Sequence, residues 1–193
     1  MIPSVSVSGS IREMEIITYL DEQAAEKAAH VLRAGGVILY PTDTLYGLGA
    51  DATSDEAVAK IRTIKGREAA KPMHAIVANV QMAAEYGEVN EMAFALACAH
   101  LPGPLSLILR KRPTIDTGIA RGIDTFGIRI PDNQFCLELA RAFGKPYTTT
   151  SANVSGMAPL RFVEGILAQL GEKASLIDLV IDAGELPACA PST

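Results

Sequence analysis

The sequence predicts an α/β protein in which helices pack against a mixed β-sheet. Short apolar segments rich in β-branched residues alternate with alanine-rich amphipathic segments along most of the 193 residues. The connections within residues 104–130 are too short for βαβ crossovers, so some neighbouring strands must run antiparallel. No repeat, low-complexity tract or linker divides the chain, which indicates one layered domain.

Six segments have the apolar spacing of helices and lie between capping signals. Ser54 occupies the N-cap position of one of them and is followed by two acidic residues. Gly66 ends this same helix and Gly144 ends another, because glycine easily adopts the left-handed conformation that closes a helix. The predicted helices cover residues 21–34, 53–66, 80–86, 90–100, 133–144 and 161–170.

Six shorter segments are predicted to be strands because they are apolar or threonine-rich and end at proline, glycine or polar residues. One of them, "VILYP", is a short buried strand that Pro41 closes. The predicted strands cover residues 37–41, 74–80, 105–111, 125–131, 145–151 and 176–184.

Composition places the chain among cytoplasmic proteins with a sizeable core. Hydrophobic residues make up 49% of it, and no apolar run reaches the roughly 18 residues that cross a membrane. Residues 1–14 are serine-rich and lack the basic start and apolar block of a signal peptide. We therefore expect residues 1–14 to be a flexible extension and residues 15–193 to form a single domain.

The cysteines and histidines do not predict a metal or disulfide site. Three cysteines are widely spaced and no CxxC occurs, as is typical of proteins in a reducing compartment. Cys98 lies in "FALACAH", which predicts a small buried core residue rather than a nucleophile. The three histidines are far apart in the sequence and show no metal-ligand spacing.

The glycines in "LYGLGADA" only approach the dinucleotide-binding pattern GxGxxG/A. The expected acidic residue about 20 positions later has no good counterpart, and the glycines do not open a helix. The sequence contains neither a P-loop nor a GxSxG motif. These observations exclude the P-loop and disfavour a Rossmann-type or α/β-hydrolase site.

Polar side chains collect where predicted strands end, which is where open α/β sheets usually bind ligands. "PTDTLYG" places Thr42, Asp43 and Thr44 directly after a buried strand. The same residues suit a hydroxyl-capped turn, and the two interpretations stay equally open. In "FGIRIP", alternation turns Arg129 away from its apolar neighbours, either to solvent or into a polar cleft, where a carboxylate would pair it.

A cationic loop follows the helix that ends at Gly66. Cations at a helix end complement its dipole, but Arg67 and Lys71 lie beyond the helix, which favours binding of a polyphosphate. The net charge of −5 argues against a global attraction to nucleic acid. The basic residues of this region are Lys60, Arg62, Lys65, Arg67 and Lys71.

"TTTSANVSG" (residues 148–156) carries four consecutive hydroxyl residues at the end of a strand. The three threonines are good strand formers and are predicted to be scaffold. Ser151 and Asn153 lie at the strand exit, where they can hydrogen-bond phosphate oxygens or a nucleoside. A capped turn is the alternative explanation.

In order and spacing, six motifs resemble the YrdC-like family, which includes the threonylcarbamoyl-AMP synthases. They are "PTDTLYGLG", "KGREAAKP", "LPGPLSLIL", "GIRIPDN", "TTTSANVSG" and the terminal "PST". The resemblance implies a YrdC-like twisted mixed sheet with flanking helices around a concave basic cavity. It implies a nucleotidyltransferase that joins L-threonine, bicarbonate or CO2 and ATP into L-threonylcarbamoyladenylate, with release of pyrophosphate.

The resemblance also implies roles for individual residues. Lys65 and Arg67 match the catalytic KxR pair at the nucleotide phosphates, with Mg2+ accompanying the ATP. The implied nucleotide-binding residues are Lys65, Arg67, Lys71, Ser151 and Asn153. The implied L-threonine-binding residues are Thr44, Arg129, Ser151 and Ser192.

The implied partners are tRNA-modification proteins that use the product to form N6-threonylcarbamoyladenosine, with weak binding of tRNA or double-stranded RNA. Two departures from the family pattern stand out. Ile76 replaces a histidine of many relatives, and His74 lies two positions earlier on the same side. The chain also ends at Thr193, before a basic residue that relatives place near the nucleotide. A YciO-like paralogue and an RNA-binding module without synthase activity remain alternatives.

Overall fold

The computed structural model describes residues 14–66 and 71–188. Its centre is an eight-stranded sheet in the order β1-β8-β2-β3-β7-β4-β6-β5, so β1 and β5 form its two edges. The strands are β1 (Glu15–Thr18), β2 (Ile38–Pro41), β3 (Tyr46–Gly49), β4 (His74–Ile76), β5 (Ser106–Arg110), β6 (Thr125–Arg129), β7 (Tyr147–Ser151) and β8 (Leu179–Asp182).

The sheet is mixed, as predicted, because short turns join some strands and helices join others. β4 runs parallel to β6 and antiparallel to β7, whereas β2 pairs antiparallel with β3 and parallel with β8. β5 and β6 form an antiparallel pair, which agrees with the short connection between them. The mixed α/β fold expected from the sequence is therefore confirmed.

Helices cover both faces of the sheet. α1 and α5 pack on one face against Ile38, Tyr40 and Tyr147. On the opposite face, side chains of the other four helices join a second core with Leu39, Leu48 and further residues that point the other way. The helices are α1 (Ala24–Arg33), α2 (Asp55–Lys65), α3 (Val80–Tyr86), α4 (Glu91–His100), α5 (Gln134–Phe143) and α6 (Val163–Leu170), with 3-10 helices at Gly118–Ala120 and Gly171–Leu176.

The predicted capping signals act at the ends of α2. The Ser54 hydroxyl accepts a hydrogen bond from the amide of Ala57 at 3.2 Å. Gly66 ends the helix in the left-handed conformation, with φ of 57°. The chain therefore leaves α2 at a fixed angle directly before the cationic loop.

β1 and β3 were not predicted. β1 is short and largely exposed, so it lacks the apolar signal of a buried strand. β3 contains Gly47 and Gly49, which sequence patterns associate with turns. A Cβ atom at Gly47 would lie 3.1 Å from the Tyr40 ring, so these glycines make room for side chains of β2. They lie inside a strand, which agrees with the rejection of a dinucleotide-binding turn.

Two features of the helices bear on other predictions. Cys98 is exposed on α4, so its prediction as a core residue was wrong. The segment is apolar, but only Ala97 of α4 is buried against the sheet. Within residues 14–66 and 71–188, no helix is both long and apolar enough to span a lipid bilayer. The predicted extension at residues 1–14 lies almost wholly outside the described residues.

Candidate functional site

A cavity of about 390 Å³ opens on the same sheet face that α1 and α5 cover elsewhere. It begins beyond these helices, where side chains on this face change from apolar to polar. Thr44, Arg129 and Ser151, three residues predicted to bind ligand, meet here. The full lining consists of Thr42, Thr44, Leu45, Tyr46, Gly47, Pro72, Met73, His74, Ser106, Arg129, Thr149, Thr150, Ser151 and Pro159.

The turn between β2 and β3 forms one wall of the cavity. The Thr42 hydroxyl accepts hydrogen bonds from the amides of Thr44 and Leu45, each at 3.1 Å, and donates to the Leu45 carbonyl at 2.7 Å. This is the hydroxyl-capped turn that the sequence left open. Thr42 and Thr44 also line the cavity, so the ligand-binding interpretation stays a prediction beside the confirmed turn.

Arg129 is buried at the end of β6 and is held in place by three groups. Its Nη2 donates to Asp43 Oδ1 at 2.5 Å, and its Nη1 donates to the Thr44 hydroxyl at 3.2 Å. Its Nε lies 3.4 Å from the Gly103 carbonyl oxygen. The arginine therefore points into a polar cleft, and a carboxylate of the protein already pairs it.

Asp43 is the main site feature to which the sequence analysis assigned no role. Its second carboxylate oxygen accepts a 3.3 Å hydrogen bond from the amide of Asp132. Asp43 and Arg129 are 86 positions apart, so only the pairing of strands across the sheet brings them together. The only sequence signal was an acidic residue among threonines at the end of a strand.

Adjacent threonines of β7 have different surroundings. Thr148 is fully buried; its hydroxyl accepts from the Ala50 amide at 3.0 Å and donates to the Leu48 carbonyl at 3.1 Å. Its prediction as scaffold is confirmed. Thr149 and Thr150 line the cavity, and the Thr149 side chain also forms a hydrogen bond with Tyr40, so for these two the scaffold role stays a prediction. Strand pairing with β3 and β4 decides this difference, and neither partner is visible in the motif itself.

Lys65 and Asn153 lie behind the exit of β7 and join it to the end of α2. The Lys65 ammonium group donates to the Ser151 carbonyl, and to the carbonyl and Oδ1 of Asn153 at 3.0 and 3.1 Å. Asn153 also donates from its amide to the carbonyls of Val154 and Met157. Both side chains are buried and support the end of β7 at Ser151 and the turn that follows it.

The cationic loop is only partly described. Lys71 is exposed and directly precedes Pro72 and Met73, which line the cavity. Arg67 and Ser192, both predicted site residues, lie outside the described residues. A further cation lies nearby, because a Cβ atom at Gly66 would be 3.1 Å from Lys173 Nζ. The sequence did not indicate Lys173, which follows Gly66 by more than 100 positions.

His74 and Ser106 complete the cavity on the side of β4 and β5. His74 shares a sheet face with Ile76, as alternation predicts, but Ile76 is buried in the core under α1 and α5. A Cβ atom at Gly127 would lie 2.4 Å from His74 Cδ2. The absence of a side chain at Gly127 therefore leaves room for the histidine ring on this part of the sheet.

Tyr46 links the cavity to the segment that follows β8. Its hydroxyl donates to the Gly184 carbonyl at 2.8 Å and accepts from the Ala183 amide at 2.9 Å. Burial raises the pKa of Tyr46 to about 12, so the hydroxyl stays protonated. The same effect raises the pKa values of Tyr40 and Tyr147, which lie under the helices next to the cavity. These tyrosines are structural donors near neutral pH.

A family model described as "Telomere recombination" (Sua5_yciO_yrdC) matches residues 30–193. The chain belongs to the Sua5/YciO/YrdC family. A family member from Methanocaldococcus jannaschii is 38% identical over 178 residues, which are 90% of this chain and 82% of that protein. The threonylcarbamoyl-AMP synthase of Vibrio parahaemolyticus is 30% identical over 151 residues, 77% of this chain and 82% of its own length.

Solved structures of the family share the fold described above. Pyrococcus abyssi Sua5 complexed with L-threonine has a TM-score of 0.83 and 31% identity, and the match covers 94% of this chain. The same match covers 53% of that protein, so the chain spans about half its length. Escherichia coli YciO has a TM-score of 0.77 and 26% identity, with coverage of 91% of this chain and 85% of its own.

Proposed function

We propose that this protein is a threonylcarbamoyl-AMP synthase, an enzyme of the nucleotidyltransferase class. The observation that carries the proposal is the convergence of Thr44, Arg129 and Ser151 on one polar cavity of about 390 Å³. Relatives that bear this name, and a relative complexed with L-threonine, support the substrate assignment. A cytoplasmic location fits these substrates and the absence of a membrane-spanning helix from the described residues.

The proposed reaction forms and breaks few bonds, so positioning and charge compensation are the main tasks of the protein. The amine of L-threonine first combines with bicarbonate or CO2 to give a carbamate. A carbamate oxygen then attacks the α-phosphorus of ATP, and the bond to pyrophosphate breaks. No covalent intermediate with the protein is required.

The threonine end of the substrate would be held around Arg129. Two edges of its guanidinium group are already oriented by Asp43 and Thr44, so the group is preorganised before ligand arrives. We propose that Arg129 binds the carboxylate of L-threonine and that Thr44, Ser151 and Ser192 bind the remaining polar groups. Thr149 and Ser106 add hydroxyl groups to the same cavity.

The nucleotide end would be held at the exit of β7 and the cationic loop. We propose that Arg67 and Lys71 contact the phosphates and that Ser151 and Asn153 align the adenylate. Lys65 donates three hydrogen bonds to the end of β7 and to the loop that follows Ser151. This arrangement favours a role in which the Lys65 charge both supports the loop and raises the local positive potential for the phosphates.

Mg2+ would accompany the ATP and neutralise its phosphate charge. Within residues 14–66 and 71–188, no three histidine, cysteine or acidic side chains cluster as metal ligands. A Mg2+ ion that is held mainly by phosphate oxygens and water does not require such a cluster. The product would pass to tRNA-modification proteins, and the net charge of −5 fits weak rather than strong binding of tRNA.

A YciO-like paralogue is the second candidate, because YciO also shares the fold over 91% of this chain. Pyrophosphate release from ATP distinguishes the two when threonine and bicarbonate are supplied or withheld. Synthase activity requires release that depends on both compounds. Tight ATP binding without threonine-dependent release would favour the YciO-like candidate instead.

The proposed phosphate contact gives the sharpest variant for this assay. Arg67→Ala is expected to lower the rate by about two orders of magnitude, a typical effect of losing a preorganised charge contact. Arg33→Ala, an exposed arginine on α1, is the matched control and should retain full activity. Normal turnover of Arg67→Ala would show that this arginine is not part of the site.

A further inference from the structure

Helix α4 (Glu91–His100) is apolar but lies mostly in solvent. Only Ala97 is buried, whereas Met92, Phe94 and Leu96 are 73%, 53% and 40% exposed. Surface helices normally carry a polar face, and a helix that is apolar all round is normally covered. Clustered large apolar side chains on a surface mark an interaction site.

The neighbouring strand β5 is the edge of the sheet. The Lys111 amide donates a hydrogen bond to the Asp124 carbonyl on the β6 side. The Arg110 carbonyl points the other way, to the outer edge, where it accepts a hydrogen bond from the Glu88 amide. Alternation along an antiparallel pair therefore turns the backbone groups of Ser106 and Ile108 outward. No other strand pairs with this part of β5 among the described residues.

A groove runs between α4 and the outer edge of β5. Its apolar lining includes Met92, Leu96 and Leu107, and polar groups close it at the Arg110 end. Met92, Leu96 and Ala99 recur at helical spacing, so they form one stripe beside the groove. An occupant must therefore supply both a strand edge and an apolar surface.

We propose that the occupant is a second copy of this chain, which binds through α4 and β5 around a two-fold axis. The outward backbone groups of Ser106 and Ile108 of the two copies then face each other and can pair, while the segment at Gly87 and Glu88 already covers the edge at Arg110. The two sheets then become one. The two α4 helices cover the same face beside the axis and bring their apolar stripes together at helix-packing distance.

The charges of α4 and β5 suit this arrangement. Glu91 and His100 are the only titratable side chains of α4 apart from the Cys98 thiol, and they stand at opposite ends of the helix. An antiparallel contact of two copies therefore places the Glu91 of one near the His100 of the other. The basic group at Arg110 stays away from its symmetry mate, because each β5 strand runs in the opposite direction.

The molar mass of the purified full chain tests the proposal. Light scattering behind size exclusion, over about 1 to 100 µM protein, covers the range of a micromolar dissociation constant. We expect a mass near twice the 20.4 kDa of one chain at the upper end. A mass of one chain over the whole range would overturn the proposal.

Charged variants of the exposed stripe locate the interface. Met92→Lys and Leu96→Lys should each give single chains at concentrations where the wild type is paired, with little change in thermal unfolding of the chain. Leu20→Lys, at a leucine that is 83% exposed near the opposite edge of the sheet, should remain paired. Ile108→Pro removes an outward amide and should also abolish pairing. Paired α4 variants, or loss of pairing in Leu20→Lys, would contradict the proposed surface.

Discussion

One face of the sheet has a closed half and an open half, and the boundary falls within two residues of the same strands. On β7, Tyr147 is buried under α1 and α5, whereas Thr149 on the same face lines the cavity. On β4, Ile76 is buried and His74 lines the cavity. The cavity therefore begins where α1 and α5 end, and alternation carries the polar side chains into it.

The two halves respond to substitution in different ways. In the closed half, side chains contribute by burial and internal hydrogen bonds, so their loss should lower stability first. In the open half, side chains are held by neighbours but face the cavity, so their loss should lower activity first. Arg129 belongs to both categories, because it is buried, paired and part of the cavity wall.

The largest expected effect is therefore at Arg129. Arg129→Met should lower kcat/KM for threonine by about two orders of magnitude or more through loss of a preorganised charge contact. It should also lower the free energy of unfolding by roughly 3–5 kcal/mol, because it breaks a buried ion pair from one side. Threonine-dependent pyrophosphate release and denaturant unfolding measure the two effects.

A second substitution separates these two effects of Arg129. Arg129→Met combined with Asp43→Leu removes both charges, so much of the stability should return while the activity stays low. Arg141→Met, an exposed arginine on α5, is the matched control and should leave both quantities near normal. Recovery of activity in the double variant would contradict a role for Arg129 in binding the substrate.

Gly127→Ala tests how tightly the open half is packed. The new Cβ atom would meet the His74 ring at 2.4 Å, so we expect a loss of about 1–3 kcal/mol in the free energy of unfolding, as is typical of overpacking. His74→Ala in the same chain should restore most of that loss, and unfolding of the two single variants and the double variant measures the coupling. An equal loss with and without His74 would mean that another contact limits position 127.

Adjacent threonines of β7 compare a buried side chain on one face of the sheet with a cavity side chain on the other. Thr148→Val removes two internal hydrogen bonds and leaves the Ala50 amide without that acceptor, which should cost about 1–3 kcal/mol of stability. Thr149→Val should lower stability by less, about 0.5–1.5 kcal/mol, for the loss of a hydrogen bond with Tyr40. Its main effect should be a raised KM for threonine. The reverse pattern would contradict these two assignments.

The smallest expected effect concerns the two described cysteines. Burial raises the pKa of Cys136 to about 12, so its thiol should resist alkylation at pH 8 in the folded protein. Cys98 is exposed on α4 and should react readily. Peptide mapping after brief treatment with iodoacetamide distinguishes them. Rapid modification of Cys136 would indicate that the closed half opens under native conditions.

Much of the fold was predictable because most elements have local signals. Ser54 and Gly66 mark the ends of α2, and alternation turns Arg129 away from its apolar neighbours. β3 was missed because its two glycines act through contacts with β2, which a local pattern does not show. Cys98 was misplaced because an apolar segment is expected to be covered, whereas α4 is not.

The candidate site was predictable in part for the same reason. The motifs identified Thr44, Arg129 and Ser151 through residue type and position at strand ends, and the structure brings these three together. The ion pair between Asp43 and Arg129 depends on sheet pairing across 86 positions, so no local signal reports it. The position of Lys173 beside Gly66 likewise depends on how α2 packs against the 3-10 helix at Gly171–Leu176.

The ion pair between Asp43 and Arg129 affects how strongly substrate binding in the cavity depends on salt concentration. The charge of Arg129 is largely compensated by Asp43 inside the buried cavity wall. Dissolved salt therefore weakens electrostatic interactions there only slightly. Lys71 at the cavity rim is exposed, and its attraction to a polyphosphate weakens as salt is added. Added salt should therefore raise the KM for ATP more steeply than the KM for threonine.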